Sequence, residues 1–136
     1  MTDAKAGIEA VKSQLACEVI DGQAYWFVPT TPFAQSEFPV AHLLPNYDEY
    51  TVGYSDRSAI YEGEVPNHLD PRGALLLNYV IVIDSQVIGA WRRTFKKGRV
   101  IIELKPFASL SDIQNAAVRD ATQRYGDFLG LAVEIV

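Results

Sequence analysis

The chain has 136 residues, 49% of them hydrophobic, and a formal net charge of -5. That length supports one ordinary domain with a sizeable core, and a composition this apolar and aromatic excludes a disordered tail. No apolar run approaches a membrane span, the first residues lack the apolar core of a signal peptide, and a lone cysteine, Cys17, excludes an internal disulfide.

Residues 4–16 read as a short helix, because Ile8, Val11 and Leu15 recur at helical spacing. Two β-rich runs follow, Cys17 to Ile20 and Gln23 to Val28. Asp21-Gly22 between them is a strong hairpin signal, since both turn positions need positive φ. Cys17, at the start of a strand, is expected to be a small core residue. Pro29, Pro32 and Pro39 then punctuate a stretch without periodicity, read as a linker or surface loop over 29–42. Residues 43–57 mix apolar residues, acids and aromatics, and 61–73 read as loop.

The core should lie in three antiparallel strands at about 74–83, 86–95 and 99–105. Asp84-Ser85 and Lys97-Gly98 supply the turns. The second turn sets Phe95 opposite Val100, Arg93 opposite Ile102 and Trp91 opposite Leu104 on one, mostly buried, face. Arg93 belongs to that face, its stem covering Trp91 and Phe95. Arg92 would pair with Glu103 on the other face, and Lys96 would oppose Arg99, a like-charge pair suited to an anion. Ser109 with Asp112 has capping-box spacing, and Ile113, Ala117, Ala121, Tyr125 and Phe128 would form the apolar stripe of the helix that follows. Residues 131–136 read as a terminal strand. The fold class is α+β: a curved, mostly antiparallel sheet or small β-barrel, with one N-terminal and one C-terminal helix.

Charge is distributed unevenly. Six of the 12 Lys and Arg residues fall between Arg92 and Lys105, against one acid, Glu103. Glu37 to Asp70 holds seven acids and one base, Arg57. A cationic hairpin tip on an acidic chain suggests a local anionic partner. The sequence pI near 4.9 weighs against autonomous, non-specific DNA binding, which is driven by counterion release to Lys and Arg.

Several pieces occur in a familiar order: Leu44-Pro45-x-Tyr47-Asp48-Glu49-Tyr50, Gly53-Tyr54-x-Asp56-Arg57-Ser58, Val87-Ile88-Gly89-x-Trp91-Arg92-Arg93, Lys97-Gly98-Arg99-Val100, Pro106-Phe107-Ala108-x-Leu110 and Arg124-Tyr125-x-x-Phe128-Leu129-Gly130. Over residues 43–136 the chain resembles the C-terminal β-barrel region of the winged-helix DNA-binding, crosslink-repair DNA glycosylase family. Residues 4–30 are similar to the closing helix and wing of that family's last winged-helix unit. The resemblance implies tandem winged-helix units followed by a small barrel, and in some members removal of alkylated or crosslinked bases. It places the catalytic Gln and acidic residues in an N-terminal region with no counterpart here, so no catalytic residue is carried over and an enzyme is not expected. Asp84-Ser85-Gln86 stands where the family pattern has an Asp-Gly-Arg turn, which removes a basic side chain. The implied organisation is a winged-helix remnant at 1–30, a linker at 31–42 and a barrel-like domain at 43–136.

The candidate DNA contacts are Arg92, Lys96, Lys97, Arg99 and Lys105, holding phosphates without reading sequence. The alternative for this tip is a solvated edge that discourages aggregation. Asp48, Asp56, Arg57 and Trp91 are expected to be structural, the acids pairing with Arg57 or capping backbone amides. Tyr47, Tyr50, Tyr54 and Tyr61 are expected as core or rim packing, and His42 and His68 as exposed loop residues. No cofactor or metal pattern is present. The expected function is a non-catalytic, DNA-associated module, with double-stranded DNA, an upstream winged-helix unit or a partner protein as partners, in the cytoplasm by default. A protein-interaction or scaffold domain without DNA affinity and a small-molecule-binding barrel are the competing readings.

Overall fold

The computed structural model describes residues 2–20, 22–29, 37–53, 57–61 and 79–136. It divides into two compact units, residues 1–35 and 36–136. In the first, helix α1 (Thr2–Val11) runs into a 3-10 turn at Lys12–Gln14, followed by strands β1 (Ala16–Ile20) and β2 (Gln23–Phe27). The two strands form an antiparallel hairpin that pairs Ile20 with Gln23, as the turn signal predicts. Cys17 is exposed, not a core residue. A two-stranded ribbon gains a core only from a covering layer, and four of the five β1 residues are exposed.

The second unit holds a five-stranded sheet in the order β3-β4-β5-β6-β7. Its strands are β3 (Ala41–Leu44), β4 (Val80–Ile83), β5 (Gln86–Lys96), β6 (Arg99–Pro106) and β7 (Ala132–Ile135). Strand β3 begins inside the stretch read as a linker. All neighbours pair antiparallel except β6 and β7, which run parallel. That parallel step requires a crossover, supplied by helix α3 (Asp112–Leu129). The β4–β5 ladder slips between Ile81 and Val82, and such an irregularity sharpens local bending. The sheet curls into a half-barrel, and α3 touches both of its edge strands. Of the first expected strand, residues 74–78 lie outside the described residues.

Two clusters use the two faces of this sheet. Ile81, Trp91, Val100 and Ile102 pack beneath Val118 and Ala121 of α3. Val80, Val82 and Val87 form the second cluster, with Leu44, Ile60, Tyr61 and Phe107 against it. The four residues of β4 are all buried, as a strand covered on both faces should be. Trp91 is only 2% exposed. Tyr79 and Tyr125 meet it edge to face at 5.0 and 5.3 Å, and its indole N–H donates to the Leu44 carbonyl at 3.0 Å. Arg124 ties α3 to the β3 edge by donating to the Ala41 carbonyl at 2.7 Å. At the other edge α3 needs Gly126, where an added methyl would run into the Val133 side chain and the Leu131 carbonyl.

The start of α3 differs from the sequence expectation. Its N-cap is Ser111, whose hydroxyl accepts from the Gln114 amide while the Gln114 side chain accepts from the Ser111 amide. That reciprocal capping box lies two residues beyond Ser109. The apolar stripe is also shifted. Ile113 and Phe128 are exposed, whereas Val118, Ala121, Thr122 and Gly126 are buried. Each step of four advances about 40° around a helix, so the stripe starts off the buried face at Ile113, reaches it only by Ala121, and the three-residue step from Tyr125 to Phe128 turns back off it.

Candidate nucleic-acid interface

The β5–β6 hairpin has the register the Lys97-Gly98 turn implies. Lys96 stands opposite Arg99, Thr94 opposite Ile101, Arg92 opposite Glu103 and Trp91 opposite Leu104. Burial along β5 alternates from Gln86 to Trp91 and then stops, every residue from Arg92 to Lys96 being exposed. The outer half of β5 is therefore uncovered, although Val100 and Ile102, which face Phe95 and Arg93 from β6, remain buried in the core. Period-2 alternation sends Arg92 and Lys96 to one face and Arg93 and Phe95 to the other.

The five candidate cations are not equivalent. Arg99 is held by Glu134 of β7 at 3.2 Å, and Lys105 lies 4.0 Å from Glu103. The expected Arg92–Glu103 pair is thus replaced: the register is right, but Lys105 is the cation nearest that carboxylate. The Arg99–Glu134 contact was hidden from sequence reading because it depends on the parallel pairing of a remote strand. Both pairs are about half exposed, and pairs so exposed contribute at most about 1 kcal/mol and are readily exchanged for another anion. Arg92, Lys96 and Lys97 form no ion pair among the described residues. They are the exposed positive charge of the tip.

Arg93 occupies the opposite face in an aromatic setting. Its guanidinium lies 5.1 Å from the Tyr79 ring, 5.5 Å from Phe95 and 5.7 Å from Tyr125. It donates to the Tyr125 hydroxyl and, at 3.3 Å, to the Tyr79 hydroxyl. The hydrogen bond to Tyr125 is the main cause holding its pKa above the ordinary arginine value, with burial opposing. Its side chain belongs to the packed face, as expected, and its head is exposed. Phe95, expected on a mostly buried face, is 54% exposed. The face was legible; the point at which the cover ends was not.

Asp48 caps the short helix α2 (Glu49–Val52), its carboxylate accepting from the Tyr50 amide at 2.9 Å. Arg57 Nε donates to the Thr51 carbonyl at 2.7 Å, tying the next segment to that helix. Asp56, Tyr54 and His68 lie outside the described residues. Tyr47 is exposed at a positive φ of 58°, and Tyr50 donates its hydroxyl to the Ser85 carbonyl at 2.6 Å. Tyr61 packs against the second cluster, and burial pushes its pKa above the ordinary tyrosine value, with the Arg57 charge opposing. His42 is exposed, on strand β3 rather than in a loop.

An open cleft of about 410 Å³ lies by the Asp84-Ser85 turn, floored by Val40, Leu44 and Val82. Asp48 and Asp84 line it, and each turns Oδ1 to a backbone amide, of Tyr50 and Val40 respectively. Among the described residues no group of three or more His, Cys, Asp or Glu could hold a metal ion. Among them, too, no helix is long and apolar enough to cross a membrane.

The family model described as DNA glycosylase AlkZ-like matches residues 1–128. The solved structure of Streptomyces sahachiroi DNA glycosylase AlkZ is similar to this chain, with a TM-score of 0.58 at 19% identity. The likeness covers 95% of this chain and 35% of that one, so the chain spans about a third of that protein's length. At that identity it speaks for the fold alone. No curated protein matches the sequence.

Proposed function

The chain belongs to the AlkZ-like DNA glycosylase family, and from that premise we propose that it is a non-catalytic, DNA-associated module of DNA repair. Its contact with duplex DNA is made by the tip of the β5–β6 hairpin. Arg92, Lys96 and Lys97 hold backbone phosphates, and Arg99 and Lys105 exchange their exposed carboxylate partners for phosphate as the duplex approaches. The observation that supports this most directly is the run of exposed residues from Arg92 to Lys96 along β5, in which Arg92 and Lys96 have no ion-pair partner among the described residues.

Among the described residues, Asp48 and Arg57 favour a positioning role over chemistry. A base-excising centre needs an activated water and a group to move its proton. Asp48 is instead engaged as a helix cap, and its neighbour Arg57 in a backbone hydrogen bond. A net charge of -5 keeps the module from coating DNA by itself, so the tip works best as one contact within a larger DNA-bound protein, steadying an adjacent winged-helix unit.

Lys96→Glu combined with Lys97→Glu tests this. Binding of the full chain to a short duplex is followed by fluorescence anisotropy across a salt series. Loss of two phosphate contacts lowers the slope of log affinity against log salt by about 2 and weakens low-salt binding at least tenfold. Unchanged affinity, or none in the parent at low salt, overturns the reading and leaves a protein-docking scaffold as the alternative.

A further inference from the structure

The hairpin tip has a second face that phosphate contact by lysines leaves unused. Phe95 sits at its end, and the Arg93 guanidinium lies among the Phe95, Tyr79 and Tyr125 rings. Two of the N–H groups of Arg93 are fixed by the Tyr79 and Tyr125 hydroxyls, which aim the planar head. Its other N–H groups meet no acceptor, and its charge no carboxylate, among the described residues. One helical turn beyond Tyr125, Phe128 is 84% exposed. Leaving such rings in water is unfavourable, and placing a weakly hydrated, oriented guanidinium beside them favours a ligand that is both planar and anionic.

We propose that this face, Phe95 and Arg93 framed by Tyr79 and Tyr125, binds one unpaired nucleotide of DNA. Phe95 stacks on the base and Arg93 takes the adjoining phosphate. Intact duplex cannot satisfy the ring, because both faces of each of its bases are already stacked. An extruded, bulged or single-stranded base presents a free face, and stacking on an aromatic side chain is tolerant of which base it is. The opposite face, with Arg92 and Lys96, supplies charge for the flanking backbone, so the ribbon carries a phosphate-holding side and a base-holding side. The inference deepens the DNA-module reading and rests on it.

The test measures binding of the full chain to an intact duplex and to the same duplex with a single unpaired fluorescent adenine analogue. The bulged duplex is expected to bind about tenfold more tightly, with quenching of the analogue as it stacks. Phe95→Ala removes the preference and the quenching while leaving intact-duplex affinity within about twofold, and Phe95→Tyr retains both. Phe95 is more than half exposed, so these variants should lower the parent's thermal midpoint by no more than a few degrees. Equal binding of the two duplexes, or a preference that survives Phe95→Ala, overturns this inference and leaves the duplex-contact reading standing. Failure to bind either DNA at low salt overturns both.

Discussion

Strand β5 leaves one turn at Asp84-Ser85 and enters another at Lys97-Gly98. The first turn is fastened on several sides. Asp84 exchanges hydrogen bonds with Val40, through its amide to the Val40 carbonyl and through its carboxylate to the Val40 amide. The Ser85 carbonyl accepts from the Tyr50 hydroxyl. Both turn residues are non-glycine and hold positive φ, 47° and 68°, a strained choice that surrounding structure must sustain. The second turn is built on Gly98 at φ 75° and is open to solvent on both ribbon faces. One strand, roughly 35 Å long, thus joins an end fastened by side-chain hydrogen bonds to a basic end held only through β6 and its pairing with β7. The contrast separates residues that fix the sheet from residues left over for a partner.

Trp91 sits at the boundary, and it offers the largest break. Trp91→Ala should lower stability by about 3–5 kcal/mol, since it removes the central ring, its two edge-to-face contacts and the donor to Leu44. Urea denaturation of this variant beside Phe95→Ala, four residues further out on the same face, measures the contrast directly. Phe95→Ala should cost less than about 1 kcal/mol. Comparable losses at the two positions would mean that the tip belongs to the core after all.

That boundary marks what the sequence made legible. The Lys97-Gly98 turn and period-2 alternation set the pairing of Trp91–Lys96 with Arg99–Leu104, because hairpin register is a local matter. Burial along β5 ends where its pairing with β4 ends, at Ala90, which no local pattern states. The same gap explains Cys17, given to the core because its strand was recognised and its missing cover was not. Arg99 shows a third case. Its partner Glu134 lies on a strand joined through a whole crossover helix, so the cation counted as available is half engaged. Local chemistry was readable, and partners brought in from a distance were not.

At the anchored end the strain itself can be relieved. Ser85→Gly should raise stability by about 0.5–1 kcal/mol, because glycine occupies positive φ without the side-chain penalty. The Tyr50 contact survives, since Ser85 offers it a backbone oxygen. The gain appears as a higher denaturation midpoint with an unchanged slope, and DNA affinity should stay the same. A loss of stability would show that the serine side chain contributes more than the backbone strain costs.

The smallest effect concerns Tyr61, which packs under the anchored half of the sheet. Its hydroxyl is buried without a hydrogen-bond partner among the described residues, and burial raises its pKa by disfavouring the phenolate. A pKa raised on folding means that the folded state holds its proton more tightly. The resulting stability is fully present below the unfolded value of about 10 and is lost as pH rises through the folded value. Stability measured from pH 8 to 11 should therefore fall at the alkaline end, with a shallower fall in Tyr61→Phe. That variant should be neutral or slightly stabilising at pH 7, because it deletes a polar group that burial leaves unsatisfied. An equal alkaline fall in parent and variant would place the responsible proton elsewhere, and a clear loss of stability at pH 7 would mean that the hydroxyl has a partner. Since Tyr61 packs against β4 and the buried start of β5 and not against the tip, neither outcome should move DNA binding, which keeps the two ends of the strand experimentally separate.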